Sequence, residues 1–210
     1  MSDALLISVR FHEGWYHGSG GSPSPARLFQ ALVAGAGLSG PLDEGTVEAL
    51  EWLENQNHPI VASPHTTSQK PYVNYVPNNE ADASNGYQER IKKAEKRIAP
   101  LLFDPAVPFL FAWKLTDDAA VEAAKRILPL ADRVYQLGRT VDMAWAWAEF
   151  LSVDELRDRL SDYPGVIRHP SPGVGEVDCP APGSLASLQQ RYQAGAHQFA
   201  RTADGKGQTF

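Results

Sequence analysis

The chain has 210 residues, 43% of them hydrophobic, with five Trp and eight Phe, which suffices for one large core or two small ones and is too apolar for a disordered polypeptide. A formal net charge of −6 excludes a uniformly basic surface, and a single cysteine, Cys179, excludes an intrachain disulfide and a thiolate-rich zinc site. Arg10 follows only a short apolar run, so the N-terminal segment matches neither a secretory signal nor a membrane span, and a cytoplasmic protein is expected.

In chain order, Leu5 to Phe11 alternates as a strand, with Leu5, Ile7, Val9 and Phe11 on one face and Leu6, Ser8 and Arg10 on the other. Arg10 is therefore expected to point away from the core. Trp15, Tyr16 and His17 come next as flat surfaces able to carry a base, and the small residues around Gly18 and Ser22 run into a helix start. Ser24 is the expected N-cap and Pro25 the first helical residue, ahead of an apolar stripe at Leu28, Phe29, Leu32 and Val33. A glycine- and serine-rich run meeting a helix N-terminus predicts a seat for phosphate, where backbone N–H groups and the helix dipole converge.

A second helix is predicted from Leu42 to Asn55 and a short strand from Ile60 to Ser63, after which apolar periodicity is lost. Within that excursion Lys70 to Pro77 reads as an extended arm and Tyr87 to Ala99 as a basic helix. Phe109 to Trp113 returns as a buried strand, and Thr116 is expected to cap a helix containing Ala119, Val121, Ala124, Ile127 and Leu128. Leu137-Gly-Arg139 is a turn, Met143 to Leu151 a strand, Val153 to Leu160 a short helix, and Ser184 to Phe199 a further helix beyond a stretch broken by proline and glycine.

This order is β-α-β-β-α-β, the split βαβ plan. The expected fold is α+β, a ferredoxin-like or RRM-like core with a long thumb-like insertion. One RRM-like domain, the fold plan of RNA-binding modules, is expected over residues 1–163, with the insertion at about 64–106, and a linker and helical segment over residues 164–210. Charge is uneven: Pro41 to Ile60 holds five acids and no Lys or Arg, whereas Gln88 to Arg97 holds five basic residues and two acids. Such asymmetry suits a protein that touches RNA over part of its surface and protein elsewhere.

Single-stranded RNA is held by aromatic stacking, by hydrogen bonds to base edges, and by Arg or Lys on phosphates. The candidate residues are Arg10, Trp15, Tyr16, His17, Gly18, Ser22, Arg27, Gln30 and Arg139, together with Lys70, Tyr72, Tyr75, Arg90, Lys92 and Lys93 on the insertion and its continuation through Lys96 and Arg97. Arg27 and Gln30, three apart on a helix, share a surface. Two other readings stay open. His12, His17, Tyr16 and Lys70 supply the residue types of a metal-independent ribonuclease, and the acidic helix with the Trp145/Trp147 pair suits a purely structural module packed against protein. The six histidines show no paired ligand spacing, so neither a metal nor another cofactor is expected.

Arg-Phe-x-x-Gly-Trp-Tyr-His from Arg10, followed by Pro-Ser-Pro-Ala-Arg-Leu-Phe-Gln-Ala-Leu-Val from Pro23, resembles the start of the fused CRISPR-associated Cascade subunit of type I-G (formerly I-U) systems, a RAMP-superfamily protein. The similarity runs from about Leu5 to Arg191, strongest over Val9–Ala34 and at Leu137-Gly-Arg139, and corresponds to the half that holds the 5′ handle of the CRISPR RNA. The resemblance implies a noncatalytic subunit that caps this handle, with the Lys70 to Arg97 segment as a thumb along the RNA. Its implied partners are CRISPR RNA, the Cascade backbone and large subunits, and target DNA through the assembled complex, with no membrane. RNA cutting would belong to a second, nuclease-like half not contained in these 210 residues.

Overall fold

A computed structural model describes residues 3–18, 21–77, 93–171 and 176–198. Its elements are β1 (Asp3–Phe11), β2 (Trp15–Tyr16), α1 (Pro25–Ala36), α2 (Glu44–Glu54), β3 (Ile60–Pro64), β4 (Thr67–Ser68), β5 (Tyr72–Pro77), β6 (Lys93–Ile98), β7 (Leu101–Leu102), β8 (Phe109–Leu115), α3 (Asp118–Ala131), β9 (Ala144–Ser152), α4 (Val153–Ser161), β10 (Gly165–Arg168) and α5 (Ser184–Gln198).

The main sheet has the order β10-β3-β8-β1-β9, with every neighbouring pair antiparallel. Because β1 and β3 both pair with β8, they run parallel to each other; β8 and β9 do so through β1. Two βαβ units are thus interleaved, and the fold is the expected α+β arrangement, with β10 added as an edge strand. Leu5, Ile7, Val9 and Phe11 face the larger core, which Leu28, Phe29 and Leu32 of α1, Leu50 and Leu53 of α2, and Ile127 and Leu130 of α3 complete.

The opposite face is not uniformly open. Leu6 is buried beneath Leu156 and Leu160 of α4, in a second cluster with Ala4, Leu110 and Ala112. Leu156 and Leu160 are four apart and so fall on one side of their helix, and burying each is worth about 1.5–3 kcal/mol. Ser152 fixes where this helix starts, through a capping box with Glu155. Toward the other end of β1, Arg10 and Trp145 stand side by side on the uncovered part of this face. Trp145 and Trp147 do share a face, but it is this one and not the larger core.

Three further expectations change. The N-cap of α3 is Asp117, whose carboxylate accepts from the Ala120 N–H at 2.8 Å, rather than Thr116. The predicted basic helix over Tyr87 to Ala99 is, across residues 93–98, the strand β6, in register with β5 from Tyr72↔Ile98 to Pro77↔Lys93; residues 78–92 lie outside the described residues. Pairing with a Tyr- and Val-bearing partner strand overrides local helix preference here. A small sheet, β2-β7-β4, was not foreseen, since each of its strands has only two residues. Among the described residues no helix is long and apolar enough to cross a membrane.

Residues 176–183, just before α5, are irregular yet fastened to the domain. Asp178 accepts the Ala26 N–H on its backbone carbonyl at 3.0 Å. Glu54, buried on α2, accepts the N–H groups of Gly183 and Leu185 at 2.8 and 2.7 Å. Leu185 enters the larger core and Leu188 packs against it. Glu54→Ala should leave two donors unpaired and cost about 2–3 kcal/mol of unfolding free energy in urea titration. Cys179 reports the same event, because partial burial and the neighbouring Asp178 carboxylate hold its thiol above its ordinary pKa. Iodoacetamide should therefore modify Cys179 faster in the variant, and an unchanged rate would mean the strap is held by other contacts.

Candidate nucleic-acid interface

The turn after β1 is pinned on two sides: the His12 N–H donates to the Met143 carbonyl at 3.0 Å, and the Phe103 N–H to the Gly14 carbonyl at 3.0 Å. Alternation across β2 then sends neighbouring aromatics in opposite directions. Trp15 is 44% exposed, whereas Tyr16 is 1% exposed and meets Phe11 edge-on with ring centroids 5.8 Å apart. Tyr16 therefore offers no stacking surface, which corrects its expected role. Its hydroxyl has no hydrogen-bond partner among the described residues, and burial pushes its pKa up against the opposing pull of the Arg27 and Arg139 charges. Gly18 packs against it: a Cβ there would come within 2.1 Å of the phenol ring.

His17 is tied down by a residue that sequence reasoning missed. Asp142, whose side chain is wholly buried, accepts the His17 backbone N–H on Oδ1 at 2.8 Å and the Arg139 backbone N–H on Oδ2 at 2.7 Å, and the His17 Nδ1 lies 2.7 Å from Oδ1. A carboxylate that already takes two N–H groups is an acceptor here, so the ring nitrogen facing it, Nδ1, carries a proton, and in the neutral form of the imidazole Nε2 is then the acceptor. Backbone bonds from Leu137 N–H to the Asp142 carbonyl and from Asp142 N–H to the Arg139 carbonyl, at 3.0 and 2.8 Å, close the loop on itself. The usable sequence signal was an Asp three residues beyond a Gly-Arg turn.

Two clefts flank this loop. On one side His12, Glu13, Trp15, His17, Val141 and Met143 line a groove of about 460 Å³. Trp15 and His17 are nearly parallel there, with an interplanar angle of 11° and centroids 6.1 Å apart. Near its rim His12 abuts Trp145 edge-on at 4.9 Å, and the Arg10 guanidinium lies 5.5 Å from the Trp145 ring centroid while its Nε donates to the Pro105 carbonyl at 2.9 Å. On the other side a smaller cleft of about 190 Å³ runs between α1 and residues 135–138, lined by Arg27, Gln30, Ala31, Ala34, Tyr135 and Gln136 with Gly138. Arg27 donates to the Gln30 side chain at 3.0 Å, as their spacing implied.

The expected phosphate seat at the start of α1 is closed. The Ala26 N–H goes to the Asp178 carbonyl, the Arg27 N–H to Ser24 Oγ at 3.3 Å and the Leu28 N–H to the Ser24 carbonyl at 3.0 Å. Ser22 sits half-buried just before this capped turn. The positive charge that remains free is carried by side chains: among the described residues none of Arg10, Arg27 and Arg139 is ion-paired.

Within the insertion, β5 and β6 form a separate two-stranded ribbon bearing exposed Tyr72 and Tyr75, with Lys70 exposed just before it, while β4 and β7 join β2. Tyr75 alternates onto the same face as Arg97. Arg90 and Lys92 lie outside the described residues, and Lys93 opens β6 opposite Pro77. No group of three or more metal-ligating side chains occurs among the described residues.

Residues 17–206 match the family model described as CRISPR-associated protein, GSU0054 family. A solved structure described as a CRISPR protein from Archaeoglobus fulgidus is similar at 13% sequence identity and a TM-score of 0.36, over 71% of this chain and 64% of that one. The chain thus spans less than two thirds of that protein's length. No curated protein matches.

Proposed function

The chain belongs to the CRISPR-associated GSU0054 family, and from that premise we propose that it is the noncatalytic RNA-binding subunit that caps the 5′ handle of CRISPR RNA in a type I-G effector (Cascade) complex. The observation that carries this reading is the pair of clefts around the 137–142 loop, with exposed aromatic faces on one side and, close by, three arginines that have no carboxylate partner among the described residues. Aromatic faces with unneutralised cations are what unpaired RNA requires, bases on the rings and phosphates on the guanidinium forks. The subunit works by positioning: Arg10, Trp15, His17, Arg27, Gln30 and Arg139 secure the handle, while Lys70 and the β5–β6 ribbon follow the RNA toward the adjacent backbone subunit. The acidic surface of α2 faces protein or solvent.

Labelled repeat RNA, with and without its 5′ handle, tests this directly in EDTA over a salt series. Binding should depend on the handle and weaken steeply with salt, the RNA remaining intact. Arg27→Ala and Arg139→Ala should each reduce the log–log salt slope by about 1 and weaken binding across sequences. Parental affinity in both variants would remove them from the interface. His12 and His17 line the same groove, so specific cleavage of the RNA would instead assign a metal-independent endoribonuclease.

A further inference from the structure

We propose that the groove between the β1–β2 turn and residues 141–143 holds one unstacked ribonucleoside of the handle, which donates a hydrogen bond to His17 Nε2; this rests on the handle-capping reading. The groove's lining favours such an occupant over a phosphate. Trp15, Val141 and Met143 give it large exposed apolar surfaces, Glu13 at its wall repels an anion, and the free guanidinium groups stand outside it, against Trp145 and in the other cleft. Its volume of about 460 Å³ falls within the range of small-ligand sites. A base slid against Trp15 or His12 would gain stacking that no phosphate can make.

His17 adds polarity to this otherwise unselective slot. The Asp142 carboxylate holds the ring by Nδ1 on the buried side, and the part of the imidazole that stays accessible faces the groove. Asp142 thereby acts as a positioning residue that presents Nε2 as an acceptor. The matching donor is an N–H on the base edge or the ribose 2′-hydroxyl, and both are absent from an ether oxygen or a phosphate dianion.

An abasic scan and a 2′-deoxy scan of the handle, each read as equilibrium binding to the full chain, distinguish these donors. One handle position should lose roughly tenfold in affinity when its base is removed, and the loss should shrink below about twofold in Trp15→Ala, whose exposed ring can be removed without opening the core. If the donor is the 2′-hydroxyl, a 2′-deoxy substitution at that same position should cost affinity in the parent and nothing in His17→Phe; if it is a base N–H, only a donor-lacking base analogue should behave so. Scans that are flat while the handle is still required would overturn the nucleoside slot and leave capping intact, with the groove then facing a neighbouring protein. Loss of handle dependence itself would overturn both.

Discussion

Gly138→Ala should lower the unfolding free energy by about 2–5 kcal/mol, and the melting temperature by roughly 10 °C. Two independent terms produce this. The backbone at Gly138 has φ +125°, a region that L side chains seldom adopt, at about 1–2 kcal/mol. A Cβ placed there would also lie 2.5 Å from Asp142 Oδ2 and 2.6 Å from Tyr16 Cε2, and overpacking of this kind adds about 1–3 kcal/mol. Neither neighbour can yield cheaply, because Asp142 is held by three hydrogen bonds and Tyr16 is packed into the core. Gly21→Ala is the control: its φ is +87° and, among the described residues, nothing lies within 4 Å of the added carbon, so it should cost only the strain term, about 1 kcal/mol. Equal losses in the two variants, measured by thermal and urea unfolding, would show that crowding against Asp142 and Tyr16 plays no part.

Asp142→Ala should cost about 3–5 kcal/mol, the range for removing one partner of a buried, hydrogen-bonded charge. The His17 and Arg139 backbone N–H groups would both lose their acceptor. Asp142→Asn should recover only part of this, since one of two accepting oxygens becomes an amide NH₂ that meets an N–H. Amide hydrogen exchange adds a local readout, as protection at His17 and Arg139 should fall before that of β1. A loss under about 1 kcal/mol for the alanine variant would mean that the loop is held by its backbone bonds alone.

The parts of the fold that were legible in the sequence are those whose causes are local. The alternation of β1 and the Ser24-Pro25 start of α1 depend on a few adjacent residues, and the order of strands and helices was enough to give the interleaved sheet. The parts that were not legible depend on distant partners. Trp15 and Tyr16 look interchangeable until β7 pairs with β2 and assigns one to solvent and the other to the core. Residues 93–98 carry a charge pattern suited to a helix, and only the facing β5 makes them a strand. Leu6 falls on the face away from the larger core, and nothing nearby in sequence announces that α4 returns over it. In the candidate site, Arg27, Gln30, Trp15 and His17, singled out by residue type and position, do line the two clefts, whereas Asp142 was hidden because its place comes from burial and geometry, not from any motif.

The bond from Ala26 to Asp178 bears on where this domain can be cut. Composition alone puts a boundary near residue 163, ahead of the proline- and glycine-rich stretch. A chain ended there would lose the carbonyl that occupies the first turn of α1, and with it the stopper on an electropositive helix end beside glycines. Such a fragment would acquire, at that helix end, a seat for phosphate that the longer chain keeps closed. Oligonucleotide binding measured on it would then include a surface created by the cut.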